Sequence, residues 1–402
     1  MDIILLLILN ILKRVSYIII NKLYDDYLKM IFLNQINNLY KIDENGISNN
    51  KIKIHIFIYI LIIWILINFK YSYISKLFLS KKIELKNKDV VLLMIPRHGN
   101  LGDQAITLAE LKFLKEIFSN ISIIYNIENY RNYIHDNTLI LLHGGGNVGW
   151  IYSYEEENRR KIIKSFPNNN IVILPQTIYF EKKFEEQQKI TSDIYSNHSK
   201  LTIIVRDKIS LNIANNIFAK NKVILSPDLV TYLDDLIELN NITRKGALFL
   251  LRRDGEKSLD IKTEKEFIFY IKKAYNNCEV SDTNNIPLFI HNISESKKYV
   301  SNMLKKISQY ELVITDRLHG MIFSVITRTS CIVIKTYNHK ISSSYEWFNY
   351  LDYVKFLNSN NINEFNNLIN YFKNKNTDNI YNKKHFDKYY NIIRQILNNN
   401  LK

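Results

Sequence analysis

Short, wholly apolar runs recur along this chain with helix-patterned segments between them, and that alternation restricts the fold more than any other feature. Residues 90–95, 121–125, 139–142, 171–174, 201–205 and 223–225 are such runs, rich in β-branched side chains. A strand apolar at every position is buried on both faces, the environment of a parallel sheet covered by helices. Helical spacing lies between several of them, as in Ile106, Ala109, Phe113 and Ile117, and again over 162–166. A second set comprises 247–251, 288–290, 312–314 and 331–334, with helices expected over 264–275 and 297–308. Residues 231–245 are polar and read as a connection. The pattern is α/β, with two doubly wound, Rossmann-like domains at 88–235 and 246–350. Asn- and Lys-rich residues 351–402 read as C-terminal helices that pack back across the domains.

Polar signatures interrupt this pattern where apolar runs end. Arg97-His98-Gly99-Asn100-Leu101-Gly102-Asp103-Gln104 lies between a strand and a helix start, where α/β proteins grip anions. The glycines allow close approach, and Asp103 is placed either to cap the helix or to act on a substrate hydroxyl. Arg97, His98, Asn100 and Gly102 would line this turn. Next, His143-Gly144-Gly145-Gly146-Asn147 follows the run 139–142 directly, marking either close backbone approach to a ligand through Gly145, Gly146 and Asn147 or a tight βα turn. Gln176 and Thr177, Arg206 with Asp207, Ser226-Pro227-Asp228, Arg252 and His291 also stand at expected strand ends. Guanidinium forks at Arg206 and Arg252 suit carboxylate or phosphate, although surface ion pairs compete for them. The densest signature is Asp316-Arg317-Leu318-His319-Gly320, in which alternation about Leu318 would project Arg317 and His319 to one side. His339 follows the next run. Two such junctions, one per half, imply a site between two α/β units.

The net charge of +15 suits anionic partners, but the lysines are dispersed and no nucleic-acid motif appears, so nucleic acid is not an expected partner. Cys278 and Cys331 make no disulfide framework, and no clean metal-ligand cluster is present. Residues 1–87 form an apolar, basic helical extension. The run 54–69 is short for a bilayer span, and Lys70, Lys76, Lys81, Lys82, Lys86 and Lys88 follow it. It is a single span, an interfacial helix on anionic lipid, or a buried soluble helix. Neither apolar run precedes a small-residue cleavage site, so no removed signal peptide is expected.

Six motifs in register, His98 to Ala105, Gly144 to Asn147, Leu174 to Thr177, Arg206-Asp207, Ser226 to Asp228 and Thr315 to Gly320, together resemble the polysaccharide pyruvyltransferase family over about residues 90–350. The resemblance implies a GT-B-like arrangement of the two domains and transfer of a pyruvyl group from phosphoenolpyruvate onto a sugar as a ketal. It associates Arg317 and His319 with the phosphoenolpyruvate site and Asp103 with catalysis, and it implies no cofactor. The expected acceptor is a surface polysaccharide such as capsule or exopolysaccharide, or its lipid-linked precursor, at the cytoplasmic face of the membrane. The competing readings are a GT-B-like glycosyltransferase using a nucleotide sugar and a non-catalytic scaffold for polysaccharide assembly.

Overall fold

The computed structural model describes residues 90–124, 134–240, 242–254, 256–284, 290, 292–374 and 380–401. The extension 1–87, its candidate membrane segment 54–69 and His291 lie outside these residues. Among the described residues no helix is long and apolar enough to cross a membrane.

The first sheet comprises β1 Val90–Leu93, β2 Ile121–Ile124, β3 Leu139–Leu142, β4 Gly145–Gly149, β5 Ile171–Tyr179, β6 Leu201–Val205 and β7 Lys222–Leu225. Its spatial order is β2-β1-β3-β5-β6-β7, with β4 also paired to β5, and every ladder is parallel. β1, β3 and β6 are buried along their whole length, as continuous apolarity requires. Helices α1 Leu101–Lys115, α2 Ser153–Ser165, α3 Glu185–Ser196 and α4 Lys208–Ile217 supply the crossovers.

The second sheet comprises β8 Ala247–Leu250, β9 Cys278–Ser281, β10 Leu312–Thr315, β11 Ser330–Ile334 and β12 Val354–Leu357, in the order β12-β11-β10-β8-β9 and again all parallel. Its helices are α5 Ile261–Ala274, α6 Ile293–Ser308, α7 Leu318–Ile326, the short α8 Lys340–Tyr345 and α9 Ile362–Asn374. The expected strand at 288–290 is not where the second strand falls. Cys278–Ser281 takes that place at the sheet edge, and Ile290, the one described residue of the three, lies outside any strand. β12 carries the sheet beyond residue 350, and Phe365 of α9 stacks on Phe267 of α5 with centroids 4.0 Å apart.

The last helix, α10 Asp387–Asn399, does return to the first half. Tyr390 sits beside Phe113 and Tyr232, and its hydroxyl meets Thr231 Oγ1 at 2.7 Å. Each such aromatic pair is worth about 0.5–1.5 kcal/mol beyond the area it buries. Thr231, Tyr232 and Leu233, read from sequence as the start of a polar connection, are buried, and Tyr232 and Thr231 meet Tyr390 of this helix.

Both sheets share one topology. The chain runs from the first strand to an outer second strand, then crosses back to place the third on the other side. This makes a switch point between β1 and β3 and another between β8 and β10, and in open α/β sheets ligands bind outside the strand ends there. The two-Rossmann, GT-B-like α/β architecture follows from this duplicated order.

Candidate active site

At the first switch point the chain leaves β1 and enters α1 through the glycine-bearing turn. The cap of α1 is Asn100, whose Oδ1 accepts the Gly102 N–H at 3.0 Å. Asp103 is therefore released from capping. Its side chain is partly exposed in the first turn, 3.6 Å from His98 Nε2. Gln104 turns inward and ties the turn down, donating to the carbonyls of Pro96 and His98 and accepting from Ser296 Oγ of α6. Arg97 contributes its backbone carbonyl to Ile290 N–H at 2.7 Å.

The glycine segment after β3 is not a βα turn. β3 stops at Leu142, and after His143 and Gly144 the chain resumes as β4 along the same neighbour, β5. The β4–β5 register shifts between Gly145 and Val148, and on its other side β5 shifts against β6 between Ile173 and Gln176, around Pro175, which lacks an N–H to extend the ladder. Gly145 has φ +130°, a conformation L side chains rarely adopt. A Cβ on Gly144 would lie 2.7 Å from the Pro175 carbonyl, and one on Gly146 would lie 2.6 Å from Arg206 Nη2. These glycines make room for neighbouring protein groups, the Arg206 guanidinium among them.

Under this strand lies a buried polar frame. Gln176 accepts from Asn147 N–H at 3.2 Å and donates to the His143 carbonyl at 2.9 Å. Arg159, fully buried, binds Asn147 Oδ1 and Glu156, both at 2.5 Å. Asn147 and Gln176 thus hold the strand in place, and both amides are engaged within the protein. His143 Nδ1 meets Glu110 Oε2 at 2.6 Å, while Glu110 Oε1 accepts the Gly144 N–H at 2.7 Å. Burial opposes a charged His143, but the Glu110 carboxylate outweighs it and raises the imidazole above its ordinary value.

At the second switch point, charges alternate along the strand ends. Arg317 forks onto Asp282 through Nε and Nη2 at 2.8 and 2.7 Å, and its Nη1 reaches Asp254 Oδ2 at 2.7 Å. Arg252 binds Asp254 at 2.9 Å and also Glu256, which in turn meets Lys340 at 3.3 Å. Asp316 accepts the Arg252 N–H at 2.8 Å, and its other oxygen is buried without a partner among the described residues. Burial pushes its carboxyl up to about 6.

Arg317 is the residue before α7, with extended backbone, and His319 lies in the first helical turn. The two side chains therefore diverge, contrary to the alternation expected about Leu318. Arg317 points along its own sheet, whereas His319 crosses to the first half. The His319 ring lies against Gly102, where an added Cβ would come within 2.6 Å of His319 Cγ. Its Nε2 stands 3.5 Å from Asp228 Oδ2, longer than a good hydrogen bond. Asp228 also receives Arg206 Nη1 at 2.6 Å and Val230 N–H at 2.9 Å. Burial alone would raise its carboxyl, but Arg206 and His319 hold it well below the usual carboxylate range.

His98, Asn100, Gly102, Asp103, Gly145, Gly146, Arg206, Arg252, Arg317 and His319 thus stand at or between the two switch points. Leu318 packs half-buried on the core. His339 sits to one side, 3.5 Å from Ser210 and edge-on to Tyr179. Glu155 joins without any sequence signature, and Lys340 joins as one of the basic and aromatic groups that the sequence places after the run 331–334, with Lys335, Tyr337 and His339. Glu155, in the first turn of α2, has its carboxyl raised by burial against the pull of Arg159, His98 and His143. Its acidic run, Glu155-Glu156-Glu157, looks from sequence like a solvated face. Lys340 spans the halves, with Cε near Gly146 and Nζ over the Tyr152 ring at 5.4 Å. Among the described residues no group of three His, Cys, Asp or Glu is placed to hold a metal ion.

Comparison with known proteins agrees with this architecture. The chain is 34% identical over 296 residues to General stress protein 30 of Bacillus subtilis (strain 168), covering 70% of this chain and 84% of that protein. It is 27% identical over 271 residues to Pyruvyl transferase 1 of Schizosaccharomyces pombe, covering 62% and 66%. An uncharacterized protein of Klebsiella pneumoniae shares the fold, with a TM-score of 0.52 at 18% identity over 68% of this chain and 94% of that one. A family model described as Polysaccharide pyruvyl transferase matches residues 100–339, which contain nearly every group above, and the chain belongs to that family.

Proposed function

We propose that this transferase uses phosphoenolpyruvate as donor and builds a pyruvate ketal on a sugar of a surface polysaccharide, or on its lipid-linked precursor at the cytoplasmic face of the membrane. The observation that carries the reading is the meeting of the two halves. A histidine that shares the Asp228 carboxylate with Arg206 lies directly on the helix turn that carries a partly exposed aspartate, and Arg317 and Arg252 stand at the strand ends of its own half.

Phosphoenolpyruvate presents a carboxylate and a phosphate, and the Arg317 and Arg252 forks suit both by planar, charge-assisted hydrogen bonds. Protonation of its methylene carbon makes C2 electrophilic. A sugar hydroxyl adds to C2, inorganic phosphate leaves with its bonding pair, and a second hydroxyl closes the ketal. One of the two hydroxyl protons balances the proton given to the methylene, and the other leaves with phosphate or solvent. His319 is held by one long contact to Asp228, so it can turn toward substrate and serve as the acid. Asp103 sits on the opposite half with its carboxylate partly in solvent, placed to take the hydroxyl proton.

The test is product formation from phosphoenolpyruvate, read as phosphate release and as pyruvylated glycan by mass spectrometry, together with ligand-induced thermal shift. Phosphoenolpyruvate should raise the Tm, and UDP or CMP should not. His319→Ala and Asp103→Asn should each abolish transfer; full product formation in both would overturn the assignment. Stabilisation by UDP alone would favour a nucleotide-sugar glycosyltransferase.

A further inference from the structure

Some of the described tyrosines are spent within the fold, and Tyr152, Tyr154 and Tyr337 are exposed. Tyr195, Tyr232, Tyr310, Tyr353, Tyr381 and Tyr390 are buried and spend their hydroxyls on hydrogen bonds within the protein. Tyr152 and Tyr337 instead remain 44% and 51% exposed. They come from different halves. Tyr152 follows β4 at the entry to α2, and Tyr337 follows β11 just before His339. The Glu256 carboxylate acts electrostatically on both rings. Tyr152 also feels Asp103 on the first half and Arg252 and Asp254 on the second. Lys340 ties the group together, bonded to Glu256 and poised over the Tyr152 ring.

An exposed aromatic ring beside a half-buried ion pair offers an apolar face with hydrogen-bonding groups at its edge. A pyranose has the complementary make-up, an apolar C–H face rimmed by hydroxyls. A lipid chain would instead require continuous apolar surface, which Glu256 and Lys340 interrupt. We infer that Tyr152 and Tyr337 form the walls of the acceptor-saccharide subsite, with Glu256 and Lys340 as its hydroxyl-binding edge. A sugar stacked on Tyr152 lies within reach of Asp103, so its hydroxyl meets the base. The subsite rests on the proposed pyruvyl-transfer reading and specifies which residues select the acceptor.

The experiment uses the full chain and two separate probes. Saturation-transfer NMR follows the methyl glycosides of glucose, galactose and N-acetylmannosamine, and thermal shift follows phosphoenolpyruvate. Tyr152→Ala and Tyr337→Ala should each weaken glycoside binding at least tenfold while leaving the phosphoenolpyruvate shift unchanged. Tyr152→Phe, which keeps the ring, should bind as the parent does. Phe269→Ala, an exposed aromatic on α5, should change neither probe and controls for general surface effects. Unchanged glycoside binding in both Ala variants, or no glycoside binding by the parent, overturns the inference. Loss of the phosphoenolpyruvate shift with glycoside binding intact at the tyrosines would instead defeat the donor reading and leave the subsite standing.

Discussion

Replacing Gly102 with Ala tests the junction between the halves through one methyl group. Gly102 is in the first turn of α1 with no unusual φ, so alanine fits the backbone and would by propensity alone stabilise by up to about 1 kcal/mol. The His319 ring opposes it. The new Cβ would fall 2.6 Å from Cγ and 3.0 Å from Cβ of His319, so turning the ring alone does not clear the overlap. Overpacking of this kind costs about 1–3 kcal/mol, which leaves a net loss of up to ~2 kcal/mol and a fall in Tm of a few degrees. Activity should suffer more than stability. A catalytic group displaced by about 1 Å loses on the order of 100-fold in rate. The assays are urea unfolding and phosphate release in the single and double variants. In the His319→Ala background most of the clash is gone, so Gly102→Ala should become neutral or stabilising and should add no further loss of rate. An equal destabilisation in both backgrounds, or a parental rate in Gly102→Ala, would refute the contact.

Four further outcomes are expected. His143 binds its proton more tightly folded than unfolded, so its contribution is fully present below about pH 6.5. It is lost as pH rises through the raised value; urea unfolding between pH 6 and 9 should therefore decline more steeply in the parent than in His143→Asn. Asp316, at about 6 against an ordinary 3.8, destabilises once ionised by up to roughly 3 kcal/mol. Asp316→Asn keeps an acceptor for the Arg252 N–H, and should stabilise by about 1–3 kcal/mol at pH 7.5, an advantage that shrinks as pH falls from 6 toward 4 in the same unfolding assay. Arg159→Met takes from the buried Glu156 its nearest cation, leaving Arg160 at 3.7 Å, and should cost about 3 kcal/mol in chemical denaturation, largely recovered by adding Glu156→Gln. Asp282→Asn should weaken phosphoenolpyruvate binding at least tenfold by titration, whereas Asp254→Asn should leave it unchanged or tighter.

What sequence makes legible here depends on how uniform each local environment is. Strands buried on both faces, such as Leu139–Leu142 and Leu201–Val205, are apolar throughout and are read directly. β9 is not, because a sheet edge tolerates polar residues; Cys278-Glu279-Val280-Ser281 has no fully buried position. Pro175 reads as a strand end, yet the chain continues beside β4 with the break absorbed as a register shift, so Gln176 and Thr177 lie inside the sheet. Motif positions put Asp103, Arg317 and His319 at strand-to-helix junctions, and the structure has them at the starts of α1 and α7. Their directions depend on helix starts one residue apart, which spacing does not resolve: Asn100 caps α1, and α7 begins at Leu318. The His143–Glu110 pair joins residues on different elements and has no local signature.

The alternating order Asp282, Arg317, Asp254, Arg252, Glu256, Lys340 explains how a site dense in carboxylates can still receive an anion. An anionic oxygen can replace either carboxylate on Arg317, and the two exchanges differ sharply. Asp282 is nearly buried, and Arg317 is the cation it bonds, so displacing it strands a charge in a poorly solvated place. Asp254 is about a third exposed and keeps Arg252 when Arg317 Nη1 is taken from it. Exchange at Nη1 therefore costs little, and exchange at the Nε–Nη2 edge costs several kcal/mol. The donor anion should enter on the Asp254 side, with Asp282 acting as the fixed support that aims the guanidinium. Removing the Asp254 charge then removes a competitor, and removing that of Asp282 removes the support. If both substitutions weakened phosphoenolpyruvate equally, the two carboxylates would be equivalent partners and this direction of entry would be wrong.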